Sequence, residues 1–181
     1  MRNIPNALSI VRILMIPLFV WLLFNGHTTL AGVTLVASGA TDLLDGILAR
    51  RFGWITDIGK VLDPLADKLT QAAVSVSLMI YLSDYWYLFA ILIVKDAIMV
   101  ALSSRLWLRG VRIEGANMFG KVSTAVYYAA MILIVFWDGM PDWLTVSLIG
   151  ISVACALVAF AMYVPAFRQY NAQAKVSASA R

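Results

Sequence analysis

The stretch Asp42-Leu43-Leu44-Asp45-Gly46-Ile47-Leu48-Ala49-Arg50, followed after eight residues by Gly59-Lys60-Val61-Leu62-Asp63-Pro64-Leu65-Ala66-Asp67, decides how this chain is to be read. With Asp57 it holds five of the ten acidic residues, in a sequence that is 62% hydrophobic. Carboxylates are costly in hydrocarbon, so acids set between apolar segments mark a functional site. The remainder of the chain reads as the frame that brings these acids together.

Outward from that stretch, the composition fixes the class. The chain has 181 residues, which suits one domain, and only 13% are charged. A mean hydropathy of +0.85 does not describe a water-soluble protein. Apolar runs of about 20 residues are what a helix needs to cross about 30 Å of hydrocarbon. The expectation is an all-α integral membrane protein, a bundle of about six transmembrane helices. Cys155 is the single cysteine, which excludes an intrachain disulfide. The net charge of +4 could suit nucleic acid, but the basic residues flank hydrophobic spans. That placement fits anionic lipid headgroups, so membrane lipids are the expected partners and nucleic acid is not.

Helices are predicted over 7–24, 29–51, from the Gly59–Asp63 region to 82, and then over 87–108, 121–137 and 143–164. Asn6 could cap the first, and Pro17 could kink it. No convincing small-residue cleavage site follows that helix, and further spans come after it, which disfavours a cleaved signal. The third helix has two possible starts. Either Asp63 caps it with Pro64 in the first turn, or a longer helix runs through and kinks at Pro64. A transmembrane domain over 1–170 and a polar tail over 171–181, frayed at its end, complete the plan. Ala154, Ala156 and Ala159 suit a close helix contact, either within the chain or in a homodimer.

The turns after the first, third and fifth helices contain no Lys or Arg, only His27, Asp84, Asp138 and Asp142. The other side carries Arg2, Arg50, Arg51, Lys60, Arg109, Arg112, Lys121, Arg168, Lys175 and Arg181. The positive-inside rule puts that side and both termini in the cytoplasm, which predicts a multi-pass protein of the plasma membrane. His27, the only histidine, sits in a short turn and reads as a solvated residue.

Asp42 and Asp45 are three residues apart, and Asp63 and Asp67 four, so each pair shares a helix face. At 1.5 Å rise per residue, Asp45 and Asp42 lie about 7 and 12 Å from Arg50 along the axis. Asp63 and Asp67 lie about 6 and 12 Å from Gly59. Antiparallel neighbours joined by a short loop would bring four carboxylates to similar depths. Four such groups cannot all ionise without protons or cations among them. Oxygen-only ligands suit Mg²⁺ or Mn²⁺, and paired metals commonly serve phosphoryl displacement. Gly46 and Gly59 lie at the same level and remove side chains where a substrate would approach. Arg50 and Lys60 could meet phosphate oxygens or act as interfacial anchors. Thr56 could donate a hydroxyl or close the turn.

The pattern Asp-x2-Asp-Gly-x2-Ala-Arg-x8-Gly-x3-Asp-x3-Asp, with all eight fixed positions met between Asp42 and Asp67, resembles the signature of the CDP-alcohol phosphatidyltransferases. Asn3-Ile4-Pro5-Asn6-x5-Arg12 and Leu62-Asp63-Pro64-x-Ala66-Asp67-Lys68 look like the phosphatidylglycerophosphate and cardiolipin synthase branch. The resemblance implies attack by an alcohol on the β-phosphoryl group of a CDP-linked lipid, usually CDP-diacylglycerol, with release of CMP. It implies that Asp42, Asp45, Asp63 and Asp67 hold two divalent cations and that Asp67 takes the acceptor's proton. Gly46, Arg50, Thr56 and Gly59 would line the nucleotide and pyrophosphate pocket, with Asn6 nearby.

The acceptor is less legible. Synthases using glycerol-3-phosphate usually carry Arg-Glu in the fourth helix, Leu-Arg-Glu a turn or two later, and Lys-Thr-Thr after Gly-Lys in the fifth. This chain has Lys95-Asp96, Leu102-Ser103-Ser104 and Gly120-Lys121-Val122-Ser123-Thr124-Ala125. Lys95, Arg105, Arg109, Arg112 and Lys121 remain as candidates for an acceptor phosphate. The last stretch looks closer to cardiolipin synthases, whose acceptor is phosphatidylglycerol. The N-terminal half favours glycerol-3-phosphate, and a phosphoglycerol acceptor is common to both. A cation or proton transporter is the rival class, but a transport path should carry polar groups across the whole depth.

Overall fold

The computed structural model describes the backbone of residues 4–52, 59–108 and 118–179, and the side chains of residues 7–42, 44, 65–104, 118–165 and 167. Among these residues the chain forms six α-helices: α1 (Ile4–Phe24), α2 (Thr28–Phe52), α3 (Gly59–Tyr81), α4 (Trp86–Leu108), α5 (Met118–Phe136) and α6 (Asp142–Ser179). A short 3-10 turn, Ser83–Tyr85, joins α3 to α4. α1, α4, α5 and α6 are each long and apolar enough to cross a membrane, while α2 and α3 carry the acidic stretch. This is an all-α membrane protein.

The packing order closes a ring. α1 lies on α2, α2 on α5, α5 on α6, α6 on α4, α4 on α3, and α3 returns to α1. The centre is filled by Phe19 and Leu23 of α1, Leu35 of α2, Leu78 of α3, Phe89 of α4 and Met131 of α5. In a bilayer this filling stabilises the fold by dispersion and shape rather than by removal from water, because lipid tails are equally apolar. Buried hydroxyls face inward without leaving polar groups in hydrocarbon. Thr34, Thr70 and Ser152 each donate to the carbonyl four residues back.

Two turns need glycine. Gly26 (φ +77°) and Gly139 (φ +78°) follow α1 and α5 in the left-handed region, where a Cβ is strained. At the first of them, Gly26 N–H donates to Leu23 and His27 N–H to Leu22, the paired closure that satisfies the last carbonyls of α1. A third glycine serves packing. A Cβ on Gly32 of α2 would lie 2.7 Å from the ring of Phe136 on α5.

The structure departs from the sequence reading in two places and decides between alternatives in a third. α1 begins at Ile4, so Asn6 lies inside its first turn rather than ahead of it as a cap. α3 begins at Gly59 and runs through Asp63 and Pro64, which selects the longer of the two possible helices. α6 continues to Ser179 instead of ending near 164. After Pro165 the sequence holds no Gly or Pro and is rich in Ala, with Gln, Arg and Lys among the rest, all of which favour helix. Ala156 packs in the core of the bundle, which assigns part of the small-residue stripe on α6 to intrachain contact.

Candidate functional site

The site begins with a charge that composition alone would discourage. Arg12 is the one charged residue in the apolar part of α1, and its side chain is only 2% exposed. Its Nη1 lies 2.7 Å from Oδ1 of Asp42 on α2, whose side chain is 48% exposed. A guanidinium is the cation best suited to such a place, being weakly hydrated and rich in donors. The pair ties one side of the Asp42 carboxylate to α1 and leaves the other open.

α3 brings the second acid. Asp67 lies within electrostatic reach of Asp42, Arg12 and Lys68. Its Oδ1 is 3.4 Å from the hydroxyl of Tyr128 on α5, which donates. Four helices therefore contribute to one place: α1 through Arg12, α2 through Asp42, α3 through Asp67 and α5 through Tyr128. Tyr127 turns to the same helix farther along. Its hydroxyl lies 2.7 Å from Ser75 Oγ and donates to the carbonyl of Gln71 at 3.1 Å.

A second charged group lies between α3 and α4. Lys95 Nζ is 2.6 Å and Lys68 Nζ is 3.3 Å from the same oxygen of Asp96, and Lys68 also donates to Gln71 Oε1 at 2.9 Å. Asp96 and Lys95 are largely buried, whereas Lys68 is more open. One carboxylate thus holds two ammonium groups, which leaves the group formally positive.

Direct packing of α2 on α3 is replaced, among the described residues, by packing of both on α1. The three helices surround a small gap lined by Met15, Phe19, Leu35, Ser38, Thr70 and Val74. Arg12 of α1 pairs with Asp42 of α2 beside this junction. Asp42 and Asp67 lie within electrostatic reach of each other. Asp45, Gly46 and Arg50 lie on α2, and Gly59 and Asp63 on α3, but their side chains lie outside the described residues. The same holds for Asn6 on α1 and Arg105 on α4, while Thr56, Arg109 and Arg112 lie outside the described backbone as well. Lys95 is committed to Asp96, and Lys121 is exposed near the start of α5.

Sequence reasoning passed over Arg12 as a site residue although it is a lone charge in an apolar span, the signal that singled out the acids. Tyr128 offered no such signal, since an aromatic in an apolar helix reads as core.

The family model for CDP-alcohol phosphatidyltransferases matches residues 2–165. The chain belongs to this family. A CMP-forming cardiolipin synthase of Streptomyces coelicolor is 34% identical over 143 residues, covering 76% of this chain and 66% of that protein. A CDP-diacylglycerol–glycerol-3-phosphate 3-phosphatidyltransferase of Sodalis glossinidius is 33% identical over 170 residues, covering 89% and 91%. One of the same name from Pseudomonas fluorescens is 37% identical over 105 residues, covering 55% and 54%. As a CDP-alcohol phosphatidyltransferase, the protein is a CDP-diacylglycerol-dependent enzyme of phospholipid synthesis.

The family is in general dependent on divalent cations. The donor chemistry fits such ions: Asp42 presents a half-exposed carboxylate and Asp67 a second one within electrostatic reach of it. Asp45 and Asp63 follow on the same two helices one turn away.

Proposed function

We propose that the chain transfers a phosphatidyl group from CDP-diacylglycerol to a glycerol hydroxyl of glycerol-3-phosphate. The single observation that carries the reading is that Asp42, paired with the buried Arg12, lies within electrostatic reach of Asp67. In this reading the acceptor oxygen attacks the β-phosphorus, the bond to the bridging oxygen breaks, and CMP leaves with that electron pair. Asp67 accepts the hydroxyl proton as it is lost in the transition state, where a weak carboxylate base suffices. Arg12 fixes Asp42 and offsets one of the negative charges. Asp42, Asp45, Asp63 and Asp67 would hold two Mg²⁺ or Mn²⁺ ions, which neutralise the pyrophosphate and polarise the reacting phosphoryl group. Asn6, Gly46, Arg50, Thr56 and Gly59 form the proposed surface for the nucleotide and pyrophosphate.

The acceptor's own phosphate needs positive charge. The Lys68–Asp96–Lys95 group supports a site between α3 and α4, with Arg105, Arg109, Arg112 and Lys121 as further candidates. Glycerol-3-phosphate is favoured by the relative from Sodalis glossinidius, which matches over nearly the full length of both chains. Phosphatidylglycerol is the second reading. It is favoured by Ser123 and Ala125 after Gly120-Lys121 and by the cardiolipin synthase relative. Loop charges support a plasma-membrane protein with cytoplasmic termini and active site, a catalytic domain over 1–170 and a tail over 171–181.

The test gives purified protein CDP-diacylglycerol, Mg²⁺ or Mn²⁺, and each acceptor separately. CMP release with glycerol-3-phosphate is expected, and its loss when both metals are withheld. Product only with phosphatidylglycerol would select the second reading. Product with neither would reject the phosphoglycerol acceptor.

A further inference from the structure

Asp67, Gln71 and Ser75 succeed one another at intervals of four residues along α3, so they form one row on its surface. α5 meets that row with two adjacent tyrosines. The Tyr127 hydroxyl takes the upper two positions, through Ser75 Oγ at 2.7 Å and the Gln71 carbonyl at 3.1 Å. The Tyr128 hydroxyl takes the lowest, donating to Asp67 Oδ1 at 3.4 Å. The two rings pack edge to face, with centroids 5.5 Å apart and planes at 78°. Successive helical residues point about 100° apart, so adjacent tyrosines reach one row only if each ring has its own fixed direction.

The division of labour follows from what each hydroxyl touches. Tyr127 is buried and joins α5 to α3 through a neutral hydroxyl and a backbone carbonyl, an anchoring role. The Tyr128 hydroxyl donates to the carboxylate of Asp67, the proposed base. An ionised carboxylate has two oxygens and about four lone-pair directions, and it rotates easily about its last bond. A donor fixed from a neighbouring helix removes that rotation. It occupies one oxygen and leaves the other with a defined direction.

We infer that Tyr128 is a positioning residue for Asp67, its hydroxyl holding Oδ1 so that the second carboxylate oxygen stays aimed at the acceptor's hydroxyl. The inference rests on the proposed role of Asp67 as base. It assigns to α5, which lies outside the Asp42–Asp67 signature, a part in the proton transfer. Proton transfer is sensitive to placement, and small misplacements of reacting groups cost large factors in rate.

The experiment compares wild type, Tyr128→Phe and Tyr127→Phe for steady-state CMP release and for thermal melting in detergent. Wild type is assayed first, with both acceptors. If it releases no CMP, the reading of Asp67 itself fails. If it is active, Tyr128→Phe should lower kcat roughly tenfold, the scale of one hydrogen bond to a charged group, with the donor KM and the melting temperature unchanged. Tyr127→Phe should show the reverse, a lower melting temperature with kcat near that of wild type. The inference is overturned by wild-type kcat in Tyr128→Phe, or by an effect confined to donor KM. It is also overturned if Tyr128→Phe melts early or fails to fold, because the hydroxyl would then be structural.

Discussion

Two groups of charged side chains interrupt this apolar bundle, and they are balanced in opposite senses. At the meeting of α1, α2 and α3, two acids, Asp42 and Asp67, are served by the buried Arg12 and by Lys68, which neighbours Asp67. Between α3 and α4, one acid, Asp96, serves two cations, Lys68 and Lys95. Lys68 serves both groups, so Asp42, Asp67 and Asp96 are matched by Arg12, Lys68 and Lys95, and the excess of acid comes from Asp45 and Asp63 on the same helices as the first group. Charges left unbalanced in a low-dielectric setting must be met by something brought from outside. The proposed reading rests on this difference: it assigns metal and pyrophosphate chemistry to the first group and an anionic acceptor to the second. Lys68, next to Asp67 in sequence, ties the two together.

The sharpest way to break this contrast is Asp67→Asn. It should reduce CMP release by about 10²- to 10⁴-fold, the contribution of general base catalysis, while CDP-diacylglycerol binding stays near wild type. Wild-type turnover would remove the base from the first group. Arg12→Met should come next, lowering turnover by roughly ten- to a hundredfold. Its stability cost should be about 1–2 kcal/mol, below that of a fully buried pair, because the exposed face of Asp42 can be solvated. Melting and single-turnover assays separate the two effects. A merely structural Arg12 would lose stability with turnover per folded molecule intact.

Asp96→Asn probes the other group. With the shared carboxylate gone, Lys68 and Lys95 lose their common partner, and the acceptor KM should rise about three- to tenfold while the donor KM is unchanged. A change in donor KM instead would assign the positive group to the pyrophosphate. The smallest effect serves as the baseline. Gly32→Ala forces the Phe136 ring aside and should cost about 1 kcal/mol of stability, with turnover per folded molecule unaltered. Loss of activity there would mean that the α2–α5 contact itself tunes the site.

The signature from Asp42 to Asp67 was legible because carboxylates in an apolar chain have few structural uses, and fixed spacing on two helices narrows them further. The helical membrane class was legible from hydropathy alone. What spacing could not supply was the third dimension. That α1 packs on both acidic helices depends on how six helices close a ring, and only Arg12 hinted at it. The extent of α6 was misjudged because polarity was taken as the end of a helix, whereas residues 168–179 keep helix-forming composition after they stop being apolar. Tyr128 was invisible for a simpler reason: its chemistry lies in one hydroxyl, and the sequence does not say which tyrosine in a membrane helix aims that hydroxyl at an acid.

The Arg12–Asp42 pair also bears on how the chain enters the bilayer. A lone arginine in an apolar span raises the cost of inserting that helix, by up to about 2.5–3.5 kcal/mol at the helix centre. The charge is offset when α2 lies alongside, which favours entry of α1 and α2 as a hairpin rather than one helix at a time. The residue that steadies the first acid would then also govern how these two helices enter the membrane, before any substrate is met.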